Sequence, residues 1–216
     1  MSEHLKRSGH FFLILIAAIF AIGFISAWTS GVGFLLFVLG IPLLALVLVV
    51  GAVIYFVRGL KLAGGNAPAR KQMTVALAAP AMLLTAILVA WPALAAGSFS
   101  GTWTRLIVNR GHYEAIIAKA MRGEHSLSTT YSAYEEDGGV IYVVDKGPPV
   151  RVAFNPEGML DNWSGIVFDP THEVMLADSF DREGKFLAPE RVTKLFDGDL
   201  VGCRRLWGDY FHCSFT

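Results

Sequence analysis

The residues in this chain best suited to chemistry lie in its last hundred positions: two cysteines, and several acids near a histidine. Cys203 and Cys213 are the only cysteines, and each stands five residues from Gly208. A hairpin centred on Gly208 sets them face to face, and directly opposed, non-hydrogen-bonded residues have Cα atoms about 4.5 Å apart. That is the short end of the range a disulfide accepts. The spacing therefore predicts a Cys203–Cys213 bridge that fixes a C-terminal hairpin. A redox pair would sit as C-x-x-C at a helix start, which this spacing is not.

Asp161, Asp169, Asp178 and Asp181 surround His172-Glu173. Paired acids with a histidine suit general acid–base hydrolysis, and Asp161 or Asp169 with His172 would be the set. Acids at strand ends more often just terminate strands, and His172-Glu173 reads as a surface pair at a turn. His112 and Glu114 flank Tyr113, but residues so close on a helix do not face one another. No H-E-x-x-H, paired Cys/His spacing, G-x-S-x-G, S-x-x-K or phosphate-binding glycine loop occurs, so neither a metal, a cofactor nor a catalytic residue is expected. The run Glu135-Glu136-Asp137 reads as a solvated loop tip, and calcium ligation there lacks EF-hand spacing. What remains is aromatic: Trp163, Trp207 and Tyr210 form a possible interaction surface, because Trp and Tyr concentrate binding energy. Small β cores use the same residues.

These side chains need elements to hold them. Of 216 residues, 54% are hydrophobic and 17% charged, against about 25% charged in an ordinary soluble domain. Much of the surface must face lipid. Three uncharged runs, residues 11–28, 33–57 and 73–95, are each near the roughly 20 residues that cross a bilayer as a helix. Pro42 with Gly40 marks an irregularity in the second. Ala93-Leu94-Ala95 resembles a signal-peptidase site, but Pro92 and Gly97 more simply end a third span. None of the spans carries an Asp, Glu, Lys, Arg or His, so they read as an anchor and not as a transport pathway.

Residues 1–96 hold six Lys/Arg against one acid, a net +5, all on the N-terminal segment and the 58–72 loop. Cation-rich loops stay cytoplasmic. The expected topology is a cytoplasmic N-terminus (residues 1–10), three crossings of the inner (plasma) membrane within 11–96, and an extracytoplasmic domain over 97–216. There, disulfides persist. That domain holds twelve Lys/Arg against seventeen Asp/Glu, a net −5. The balance argues against nucleic acid, which needs a basic face.

Within the domain, apolar residues recur at helical spacing from Ser100 to Arg122 (Leu106, Tyr113, Ile116, Ile117, Ala120), with Ser100 or Thr102 as cap. Val140–Asp145 and Val150–Phe154 read as strands, the second alternating Val150, Val152 and Phe154 inward with Arg151 and Ala153 outward. Trp163–Phe168 and Glu173–Ala177 read as a hairpin around Asp169-Pro170. Ala188–Phe196 reads as a short helix, and Asp199–Leu206 with Tyr210–Phe215 as a last hairpin. The fold class is three membrane helices plus an α+β domain with a mostly antiparallel sheet. The expected role is an accessory protein, in an envelope complex or as an immunity factor, whose domain binds a protein partner or self-associates. The alternative is a membrane-anchored envelope hydrolase.

Overall fold

The computed structural model describes residues 2–63, 68–124, 135–145, 147–159, 162–178, 181–183 and 187–216. The chain forms two units, Met1–Thr102 and Trp103–Thr216.

In the first unit, α1 (Ser2–Ser26) is followed by α2 (Ser30–Leu35), which passes through a π-helical turn at Leu36–Gly40 into α3 (Ile41–Ala63). α4 (Ala69–Met121) begins here. Three of its helical stretches are long and apolar enough to cross a membrane, Glu3–Ser26, Val32–Ala63 and Gln72–Met121. Large apolar side chains point outward, among them Leu13, Leu39, Leu88 and Trp91, as lipid-facing surfaces require. The π turn lies just before Pro42, whose ring clashes with the carbonyl four residues back. One widened turn absorbs the clash.

The tightest seam joins α1 to α4 through glycine. A Cβ on Gly97 would overlap the carbonyl oxygen of Phe20, one on Gly101 that of Phe24, and one on Gly23 that of Leu94. Small residues four apart let helix backbones touch where burial of apolar area gives no drive. Gly51 leaves room for the Phe11 ring in the same way. Buried Ser8 donates its hydroxyl to the Met82 sulfur at 3.0 Å.

The expected stop at Pro92 and Gly97 does not occur. α4 continues through Pro80 and Pro92 to Met121. A spanning helix tolerates proline because neighbouring groups satisfy the freed backbone. Ser100 and Thr102, expected as caps, are interior residues whose hydroxyls donate to the carbonyls of Ala96 and Ser98 at 2.7 and 3.0 Å.

The second unit is a six-stranded antiparallel sheet in the order β1-β2-β3-β4-β6-β5. Its strands are β1 (Glu135–Asp137), β2 (Val140–Asp145), β3 (Arg151–Met159), β4 (Asn162–Phe168), β5 (Leu200–Trp207) and β6 (Tyr210–Phe215). One face packs on the end of α4: Tyr113 stacks on Phe154 at 4.2 Å between centroids. The other face carries a core of Val143, Ala153, Val167, Phe211 and Phe215. Short helices close it, the 3-10 turns Glu173–Asp178 and Leu195–Asp197 and α5 (Glu190–Thr193), and Val174, Val192 and Leu195 fill the space. Cys203 and Cys213 are register partners on β5 and β6 and are disulfide-bonded, with Cα atoms 4.1 Å apart.

Three local expectations change. Glu173–Ala177 is not a strand but the 3-10 helix, because Asp169 caps it by accepting from the Val174 and Thr171 amides at 3.0 and 3.1 Å. β4 pairs with β3 and β6 instead. The acidic run is not a loop tip but edge strand β1, turned onto β2 by Gly138 and Gly139 with φ of +56° and +81°, the signature of a two-residue I′ hairpin. Lys119 on α4 pairs with Asp137 at 2.5 Å. Finally, β3 does not alternate in burial: Arg151, Val152, Ala153 and Phe154 are all buried, since both sheet faces are covered.

Candidate functional site

A groove of about 420 Å³ lies between the end of α4 and the tip of the β5–β6 hairpin. Helical spacing puts Leu106, Arg110, Glu114, Ile117 and Met121 along one wall, because residues three and four apart share a face. The other wall is Phe168 from β4 and the Trp207–Tyr210 tip. Gly208 takes φ +56° and so allows the tight turn that presents Trp207.

The groove is apolar at its base and charged at its rim. Leu106, Ile117 and Tyr210 are buried, while Trp207 remains 51% exposed. Arg110 does two things: its Nε donates to Glu114 at 2.7 Å, and its guanidinium lies over the Trp207 ring, 4.8 Å from the centroid. Such a stack contributes about 0.5–1 kcal/mol at an exposed site, enough to bias the indole toward one pose. Burial, reinforced by the nearby Glu114 carboxylate, pushes Tyr210 up to about 12. Its phenol therefore stays protonated across the physiological range.

The three aromatic residues singled out from sequence occupy different places. Trp163 stacks on Phe215 at 3.9 Å and meets Phe196 edge-on, so it packs against the core on the sheet face opposite α4. Tyr210 is part of the groove floor. Trp207 alone of the three presents a broad exposed face. Arg110, Glu114 and Phe168 were not expected to join it. The Arg110–Glu114 spacing was visible, but nothing in the sequence says which element lies across from it.

Among the described residues, Asp169 and His172 do not form an acid–histidine pair through their side chains. Asp161 lies outside the described residues. Asp169 is fully buried, and its oxygens are occupied by Arg151 Nε at 3.0 Å, the Thr171 hydroxyl at 2.7 Å and the two capping amides. Burial alone would raise the Asp169 carboxyl, but the hydrogen bonds from Val174 and Thr171 and the Arg151 charge outweigh it and hold it below the usual range. Such a group is a structural anion, not a proton donor. His172, at φ +60°, turns away to pair with Asp209 at 2.8 Å. The described part of Asp181 is an exposed-loop turn, its carboxylate accepting from the Glu183 amide at 2.9 Å.

Arg151 is the residue that sequence reasoning placed wrongly. It is 2% exposed, donates to Asp169, to the Thr171 hydroxyl at 3.1 Å and to Glu173 at 2.7 Å, and Glu173 in turn pairs with Arg191. This chain of charges ties β3 to the 3-10 helix and α5. Among the described residues no cluster of His, Cys, Asp or Glu has the arrangement of a metal site. No protein-family model matches the chain, and no curated protein or solved structure matches it.

Proposed function

We propose that this chain is a non-catalytic accessory protein of the inner (plasma) membrane. Its N-terminus would be cytoplasmic, and its C-terminal domain, outside the cytoplasm, would bind a protein partner through the α4–hairpin groove. Three span-length apolar helices support membrane insertion, and the placement of all six cations of residues 1–96 outside the apolar runs supports the orientation. The disulfide is consistent with an oxidising compartment.

The observation that carries the binding role is Trp207. A half-exposed indole, held by Arg110 at the mouth of an apolar groove, costs solvation and contributes little to the fold. Trp, Tyr and Arg beside a desolvated pocket are the composition of a binding hot spot. A photo-crosslinking amino acid at Trp207, tested in cells, should give a discrete protein adduct. The same group at Leu187, exposed but outside the groove, should give none. Equal adducts at both positions, or none at Trp207, would remove the proposal.

A further inference from the structure

The second cleft of note lies in the first unit, between the N-terminal turn of α1 and the last turns of α3. It measures about 540 Å³ and is lined by Glu3, His4, Arg7, Tyr55, Arg58, Lys61 and Leu62. We propose that this cleft binds the phosphate of an anionic phospholipid headgroup.

Three cations line one small space against a single carboxylate. Glu3 pairs with Arg7 at 2.6 Å, with both groups more than two-thirds exposed. An exposed i,i+4 pair of this kind is weak, and a phosphate can compete for the Arg7 guanidinium. Arg58 and Lys61 have no carboxylate partner among the described residues, so their charge is uncommitted. The two helices are fixed against each other at the cleft. Tyr55 donates to the Arg7 carbonyl at 3.4 Å, and its ring lies 5.4 Å from Phe11 and 5.9 Å from His4. Gly59 admits the Val75 backbone, whose oxygen would be 2.8 Å from a Cβ there. His4 Nε2 is buried and has no protein hydrogen-bond partner among the described residues.

The position selects the ligand. The cleft opens where the uncharged runs of α1 and α3 end, at Arg7 and Arg58, which is headgroup depth for helices that span. Basic pockets between spanning helices on the cytoplasmic side recognise acidic headgroups, and guanidinium matches phosphate in shape as well as charge. The inference rests on the proposed orientation, with the helices spanning and the N-terminus cytoplasmic, but not on the partner groove.

The test titrates the purified full-length protein in neutral detergent with phosphatidylglycerol or phosphatidylcholine of matched chains, read by native mass spectrometry. One phosphatidylglycerol should bind saturably and in preference to phosphatidylcholine. Removing two cleft cations, in Arg58→Gln/Lys61→Gln, should weaken it about 25-fold, at roughly fivefold per charge. The variant Lys6→Gln/Arg70→Gln removes the same charge outside the cleft lining and should leave binding near its starting value. Equal weakening in both variants would mean diffuse attraction and overturn the site. Millimolar inorganic phosphate distinguishes the sources: lipid retained in its presence supports the headgroup, whereas phosphate binding with no preference between the two lipids overturns it.

Discussion

In Met1–Thr102 the closest approaches are made by residues without side chains, Gly23, Gly97 and Gly101 against helix backbone. In Trp103–Thr216 backbone meets backbone just as tightly where Gly158 lies against Asn162 across the β3–β4 pair, but what joins the elements is side chains: a disulfide, stacked rings, and a buried arginine with its carboxylates. The difference follows from solvent. A membrane unit gains nothing by hiding leucine from lipid, so its large residues face out and its backbones meet. A small domain in water must bury rings and pin its edges, and it does both here.

The largest expected effect breaks the glycine seam. Gly97→Leu would drive a side chain into the Phe20 carbonyl, where backbone on both sides cannot yield. A loss of at least about 3 kcal/mol is expected, seen as a collapse of the melting temperature in detergent. Gly111→Leu is the control on the same helix, since a Cβ there meets nothing within 4 Å. It should be neutral or stabilise by up to about 1 kcal/mol.

Next comes the charge chain of the domain. Arg151→Met leaves the Asp169 carboxylate buried and unpaired, at a cost of about 3–5 kcal/mol. Thermal unfolding followed by tryptophan fluorescence would show it, because Trp163 packs on the same sheet face. The pH dependence has a definite sign. A carboxyl held below its unfolded value stabilises at all pH above about 4, and that stability is lost as pH falls through the folded pKa. Arg151→Met should blunt this acid limb.

Cys203→Ser/Cys213→Ser should cost about 2–3 kcal/mol, the chain-entropy value for so short a loop. It should leave the span helices, by circular dichroism in detergent, unchanged. A smaller effect concerns His212, which burial and the Arg204 charge hold below its ordinary value. Its contribution is complete above about pH 6.5 and falls as pH drops below that, so His212→Gln should flatten the pH dependence of stability below about pH 6.5. The smallest effect on stability belongs to Trp207→Ala, within about 1 kcal/mol, although it should abolish the adduct formed by a photo-crosslinking residue placed instead at Met121, exposed on the groove wall.

How much of this was legible depended on whether a signal was local. The apolar runs showed the three spans, because charge is too costly in lipid to be mispositioned. The cysteines showed their pairing because both lie five residues from Gly208. Asp169-Pro170 also carries a local signal, an acid whose side chain accepts from the amide two residues on and so turns the chain, yet the β-rich residues after it match a strand equally well. Gly97 beside Pro92 looks like a helix end but packs with Gly101 against another helix, since the rules for breaking helices in water do not hold in a bilayer. Arg151 and the groove were not legible at all. Nothing near β3 in sequence announces that Asp169 and Glu173 will enclose an arginine, and nothing in α4 names Trp207 as its neighbour.

The account stands on two solvents meeting in one chain, so the decisive measurement is orientation. Cys203 and Cys213 are too buried to report it, and single exposed reporters serve better. Leu187→Cys and Lys6→Cys, each in the full chain, would be treated in intact right-side-out membrane vesicles with a membrane-impermeant maleimide. The account requires Leu187→Cys to label at once and Lys6→Cys only after the membrane is opened. Labelling of Lys6→Cys in sealed vesicles, with Leu187→Cys protected until lysis, would put the domain in the cytoplasm and contradict the proposal.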